Sequence, residues 1–295
     1  MHVHVKRVID EGASLTASVA ARLEREITRV VIGQEAAVHD VLLAVLAGGH
    51  CLFVGPSGVG KSLLGSAVAG ALAVPFTEIA ATPDARDARL PDAGVILINE
   101  LARTPPAVRI ALLAHEPRGC TVLAAHNPAD PADWPLTEAE RDRFMLSTTF
   151  EYPTAEEERE LLRRASRQET PAAAVIDLAE LLRARAEIAG MPAASNVIEY
   201  AARLARSTRP VHDGEAPGFV FELVASGAGP RGAQALMLAA RAHALIDGEP
   251  AVSLDDVDGV ALSALRHRVV VSDAARCQGL TADDVISRIL PLARA

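Results

Sequence analysis

Gly55-Pro56-Ser57-Gly58-Val59-Gly60-Lys61-Ser62 fits the pattern G-x-x-x-x-G-K-[ST] and sits where such a loop has to sit. His50 to Val54 before it reads as a short buried strand. Lys61 to Leu72 after it has helical spacing, with Leu63, Leu64, Ala67, Val68 and Ala71 to one side. The glycines let backbone N–H groups turn inward around a phosphate, and the helix start adds partial positive charge. Lys61 is expected to reach the outer phosphates and the Ser62 hydroxyl to ligate Mg²⁺. The competing reading, a glycine-rich turn without a ligand, does not require strand, loop and helix to match together.

Composition bounds what surrounds this loop. The chain has 295 residues, 50% of them hydrophobic and 23% charged, enough for a sizeable core and for two domains. A net charge of -9 argues against an extended nucleic-acid surface, which needs clustered Lys and Arg, so no nucleic-acid partner is expected. Cys51, Cys120 and Cys277 are far apart, odd in number and without metal spacing. They read as reduced thiols of a cytoplasmic protein. No apolar segment approaches the length of a membrane span, and Met1-His2-Val3-His4 is not followed by an export signal. His2 and His4 alternate as on a strand, but a frayed terminus accounts for them.

Upstream of the loop, Leu15, Val19, Leu23, Ile27 and Val30 mark an amphipathic helix from Ala13 to Val31. Val31-Ile32-Gly33-Gln34 interrupts it, and Glu35 to Leu46 resumes. Downstream, Phe76 to Ala80, Val95 to Asn99, Thr121 to His126 and Leu146 to Phe150 read as strands alternating with helices. That alternation implies a parallel sheet covered on both faces. Glu100 falls at the C-terminal end of the continuous run Val95-Ile96-Leu97-Ile98-Asn99, where such sheets place their ligand sites.

A helix, a V-I-G-Q turn and a second helix before a phosphate loop resemble the AAA+ ATPases. Leu101-Ala102-Arg103-Thr104-Pro105-Pro106 after the third strand, and Asp142-Arg143-Phe144 before the fifth, are similar to the MoxR branch. The resemblance implies an α/β fold, an AAA+ αβα core with a five-stranded parallel sheet over residues 1–153, then an all-α lid over 154–295. It implies ATP and Mg²⁺ as cofactors, with Val31, Ile32 and Gly33 lining the adenine pocket. It makes Glu100 the base that activates water, Asn127 the residue (sensor 1) that helps place that water, Arg143 an arginine finger and Arg231 a lid arginine (sensor 2) that senses the γ-phosphate. The competing readings are an Asx turn at Asn127-Pro128, a surface ion pair of Arg143 with Glu138 or Glu140, and an arginine beside a loop at Arg231. Leu265-Arg266-His267-Arg268 resembles the end of the MoxR lid and reads as structural.

Two departures limit the likeness. The family has Asp-Glu where this chain has Asn99-Glu100. Asn99 keeps an acceptor oxygen toward Mg²⁺, through water, but loses the charge, which weakens anchoring by about 1 kcal/mol. Slow hydrolysis is therefore expected. The segments after Thr82-Pro83-Asp84 and around Pro117 to Cys120 are also shorter than the family's pore-facing insertions. Two function classes stay open: a MoxR-like ATPase working as a ring, a hexamer by resemblance, on a partner complex that in the family often includes a von Willebrand A-domain protein; and a non-hydrolysing, nucleotide-dependent scaffold. A small-molecule phosphotransferase is a third, because the loop also resembles that of guanylate kinases, but such enzymes need neither a finger nor a long helical lid. Richness in alanine and arginine points to a GC-rich bacterium.

Overall fold

The computed structural model describes residues 14–80, 93–114, 119–129, 134–165, 170–212 and 215–294. His2, His4 and the two shortened segments fall wholly or mostly outside these stretches. Ser14 caps α1 (Leu15–Val30), its Oγ accepting from the Ala17 N–H at 3.1 Å. The expected apolar stripe is buried: Val19, Leu23 and Ile27 are fully inaccessible. The chain leaves α1 through Gly33 and Gln34, both left-handed at φ 67° and 60°, and enters α2 (Glu35–Ala47).

The strand-bearing part then follows as β1 (Cys51–Val54), α3 (Lys61–Ala71), β2 (Phe76–Ala80), β3 (Ala93–Asn99), a 3₁₀ turn at Leu101–Arg103, α4 (Pro106–Ala114), β4 (Gly119–His126), α5 (Glu138–Arg141) and β5 (Leu146–Thr149). The strands form one sheet in the order β2-β3-β4-β1-β5, every pair parallel. Interior strand β3 is apolar on both faces, and Val95, Ile96, Leu97 and Ile98 are all buried. Val95, Leu97, Leu123 and Phe53 face α1, α2 and α3, while Ile96, Ile98, Val122 and Leu52 face Val108 and Leu113 of α4. The αβα arrangement and the five parallel strands expected from the sequence are present.

Helices take over after the sheet: α6 (Ala155–Ala165), α7 (Leu178–Gly190), α8 (Ser195–Ser207), α9 (Val220–Leu223), α10 (Pro230–Asp247), α11 (Leu254–Leu265), α12 (Asp273–Cys277) and α13 (Ala282–Arg294). The Ser253/Asp256 capping box opens α11, and the Thr154/Glu157 and Thr281/Asp284 pairs make the same reciprocal bonds ahead of α6 and α13. The lid is not purely helical, however. β6 (Val224–Ser226) pairs antiparallel with β7 (Val270–Val271), stitching the α9 turn to the chain leaving α11. Strands of three and two residues are too short to leave a period in the sequence.

The apolar core on the α1–α3 face continues without a break into α7, α8, α10 and α11. Arg268 and His267 fasten the lid to the strand side: Arg268 donates to the carbonyls of Phe144 at 2.7 Å and Met145 at 3.1 Å, and His267 Nε2 donates to Phe144 at 2.9 Å. Burial, with the neighbouring Arg268 charge, holds the His267 pKa well below the ordinary histidine value. The Leu-Arg-His-Arg run is thus a structural tie. Cys51 and Cys120 are buried in strands and Cys277 is exposed. Among the described residues, no helix is long and apolar enough to cross a membrane.

Candidate functional site

The phosphate loop is held open by its frame. Gly55 begins it at φ 154°, where a Cβ would collide with the Phe150 carbonyl, and its N–H donates to the His126 carbonyl at 3.0 Å. Gly58 and Gly60 are left-handed at φ 82° and 94°, and a Cβ at either would meet open space. Conformation and not crowding therefore demands glycine there. Lys61 opens α3 and folds its ammonium back onto the loop, donating to the carbonyls of Gly55 at 2.8 Å and Pro56 at 2.6 Å.

A cavity of about 530 Å³ spreads in front of this cradle. Ser57, Gly58, Gly60, Lys61, Ser62, Asn99, Glu100 and Asn127 all line it. Three strand ends, those of β2, β3 and β4, and one helix start thus converge, because parallel strands end on the same side of the sheet. Glu100 is left-handed at φ 52°, unusual for a residue with a side chain, and its carboxylate accepts from Arg103 at 3.1 Å. Asn127 Oδ1 accepts the Ala129 N–H at 3.1 Å. The Asx turn is therefore real, and the residue also lines the cavity.

One residue the sequence reading passed over belongs to this corner. Glu78 of β2 accepts from Ser62 Oγ at 3.0 Å and from the Asn99 side-chain amide, which also reaches Ser62 Oγ at 3.4 Å. No local signal marks it: Phe76 packs beside Gly65 of α3, so Glu78, two residues on, faces the same helix, a relation that exists only in the fold.

The remaining predicted residues lie outside the cavity. Ile32 lines a second hollow of about 700 Å³ with Leu161 and Arg164 of α6, and Leu63 lines both hollows. Val31 is buried, and Gly33 lies against the Glu157 side chain. Gln34 joins the turn to the loop frame, its amide donating to the Glu151 carbonyl at 2.8 Å. Pro56 contributes its carbonyl to Lys61, and the Val59 carbonyl lies 3.5 Å from the Gln34 amide. Arg143 is exposed between α5 and β5 and donates to the Leu113 carbonyl. Of the carboxylates offered as its ion-pair partners, Glu140 holds Arg109 at 2.7 Å and Glu138 accepts from Ser226 at 3.0 Å. Arg231, on the first turn of α10, pairs with Asp142 at 3.6 Å instead of lining the Lys61 cavity.

The donor set fits a nucleoside triphosphate with a hard divalent cation. A glycine loop and an ammonium stand ready for phosphates, and the Ser62 hydroxyl offers an oxygen ligand while its proton goes to the Glu78 carboxylate at 3.0 Å.

The chain as a whole is similar to known proteins. Residues 51–105 match the family described as "ATPase family associated with various cellular activities (AAA)", and residues 221–289 match the AAA lid domain. The crystal structure of a protein described as an ATPase candidate from Cytophaga hutchinsonii superposes with a TM-score of 0.83 at 26% identity, covering 94% of each chain. Protein MoxR of Methylorubrum extorquens is 29% identical over 85% of this chain and 87% of its own. Chaperone MoxR1 of Mycobacterium tuberculosis is 30% identical over 95% of this chain and 84% of its own. A likeness carried so evenly from the first helix to the last makes this chain a member of the MoxR-like AAA+ ATPases.

Proposed function

We propose that the chain binds ATP with Mg²⁺ at the Lys61 cavity, in a ring whose protomers complete one another's sites, and that slow hydrolysis drives the remodelling or maturation of a partner protein complex. The observation that carries this reading is the meeting of Lys61, Ser62, Asn99, Glu100 and Asn127 on one cavity. Lys61 would leave its loop carbonyls for the phosphates. Ser62, with Asn99 through water, would hold Mg²⁺, which when bound neutralises charge on the phosphate oxygens. Glu100 would take a proton from water that Asn127 helps to orient.

Arg143 and Arg231 both flank Asp142, one in sequence and one through its ion pair, and neither lines its own cavity. We assign Arg143 to the neighbouring protomer's phosphates, which is the ground for a ring, and Arg231 to sensing the γ-phosphate from the lid. Residues 1–153 would form the nucleotide-binding part and 154–295 the lid, in a cytoplasmic protein. A von Willebrand A-domain protein is the proposed partner class, on the family resemblance.

One observation favours a non-hydrolysing scaffold: the Glu100 carboxylate is engaged by Arg103. Both groups are about half exposed, 52% and 55%, so the pair is worth less than about 1 kcal/mol, and a bound nucleotide can displace it. Size-exclusion with light scattering, with and without ATP and Mg²⁺, followed by phosphate release on each fraction, separates the two. Nucleotide-dependent rings that turn over support the first reading, and rings without turnover support the second. A monomer indifferent to ATP sinks both.

A further inference from the structure

The loss of the acidic side chain at position 99 leaves open what supplies negative charge at the cation corner. β2 and β3 run parallel with Ala80 opposite Asn99, so Glu78, two residues before Ala80, projects from the same face as Asn99. That face looks onto the first turns of α3, where Phe76 packs beside Gly65 and Ser62 lies three residues earlier on the same side of the helix. Topology therefore brings Glu78, Asn99 and Ser62 together from three elements, and their side chains are mutually hydrogen-bonded.

The chemistry of the contact is specific. A hydroxyl that offers a lone pair to a cation must send its proton elsewhere, and Glu78 accepts the Ser62 Oγ–H at 3.0 Å. The Asn99 amide, by donating to the same carboxylate, fixes Glu78 beside the hydroxyl instead of letting it swing into solvent. An aspartate at 99 could not make that bond, since a carboxylate only accepts.

We propose that Glu78 is the anionic support of the divalent cation in this chain: it orients Ser62 and supplies, from β2, the charge that Asn99 lacks on β3. This rests on the reading of the Lys61 cavity as an ATP·Mg²⁺ site. Glu78 is a positioning residue, and its effect is on the cation more than on the nucleotide.

The test is binding of Mn²⁺, followed by its paramagnetic resonance, to the full chain saturated with a non-hydrolysable ATP analogue, with analogue affinity measured separately in EDTA. Glu78→Gln should weaken Mn²⁺ by about 10-fold or more while leaving analogue affinity in EDTA within about 2-fold. Glu78→Gln combined with Asn99→Asp exchanges amide and carboxylate at the same contact and should return Mn²⁺ affinity to within about 3-fold of the unaltered chain. Unchanged Mn²⁺ affinity in Glu78→Gln, an equal loss in EDTA, or no recovery in the double variant overturns the role of Glu78 alone. Failure of the unaltered chain to bind the analogue in EDTA as well as with Mn²⁺ overturns the ATP site itself, and this inference with it.

Discussion

Arg268 Nε donates to Asp142 Oδ1 at 2.8 Å, across more than a hundred residues of chain, and so ties the segment that leaves α11 to the residue between Arg141 and Arg143. The guanidinium is buried and also satisfies the Phe144 and Met145 carbonyls, so removing it strands acceptors as well as a carboxylate. Arg268→Ala should cost about 3 kcal/mol in urea unfolding, and Arg268→Lys should recover less than half, because an ammonium cannot reproduce the planar fork.

Nucleotide binding should depend on Lys61. Lys61→Ala leaves the loop conformation to its glycines but removes the only cation among the loop's side chains, and about 10- to 100-fold weaker binding of a fluorescent ATP analogue is expected. Affinity unchanged by this substitution would contradict the phosphate cradle.

If Arg143 acts on a neighbour, its loss and the loss of Lys61 fall in different sites. Arg143→Ala should lower phosphate release by about 10³-fold or more without weakening nucleotide binding. Mixing Arg143→Ala with Lys61→Ala protomers should restore part of the activity, since some interfaces then pair an intact loop with an intact finger. No recovery on mixing would place Arg143 outside the reaction.

Burial pushes the Asp40 carboxyl of α2 up to about 6, against the pull of the Thr148 and Ser263 hydroxyls and the Arg266 guanidinium. A carboxyl whose folded pKa lies above its unfolded value of 3.8 contributes stability in full below that value and loses it as pH rises through 6. Asp40→Asn should therefore stabilise the protein by about 1–2 kcal/mol at pH 7.5 and give no advantage near pH 4, as read from urea midpoints at the two pH values.

Arg109 of α4 is buried against Glu140, whose carboxylate also closes the capping box of α5 with Thr137. Burial pushes Glu140 up, but the Thr137 N–H and the Arg109 guanidinium outweigh it and leave its pKa below the ordinary value. The pair's stability is present at neutral pH and fades as pH falls through that lowered pKa. Arg109→Ala should cost about 3–5 kcal/mol and disorder α5, the element that leads into Arg143.

The strongest sequence signals were those set by local chemistry. The phosphate loop, the run Val95-Ile96-Leu97-Ile98 and three capping pairs each carry their own mechanism, and each appears where its residues stand. What escaped depended on contacts distant in sequence. The approach to α7 is one case: the Val175 N–H donates to the Ala71 carbonyl at 3.0 Å, so the chain reaches the Asp177 cap already tied to α3. Glu78 looked like an ordinary polar residue in a strand. Only the parallel register with β3 and the seat of α3 above it bring it to Ser62. Arg231 was legible as a helix-start arginine, but its Asp142 partner comes from the far side of the lid junction.

The unbroken apolar interior from α1 to α11 has a calorimetric consequence. Heating should yield one endotherm, not two, and scission of the backbone near Thr154 should leave fragments that stay associated and melt together, at a lower temperature that rises with protein concentration.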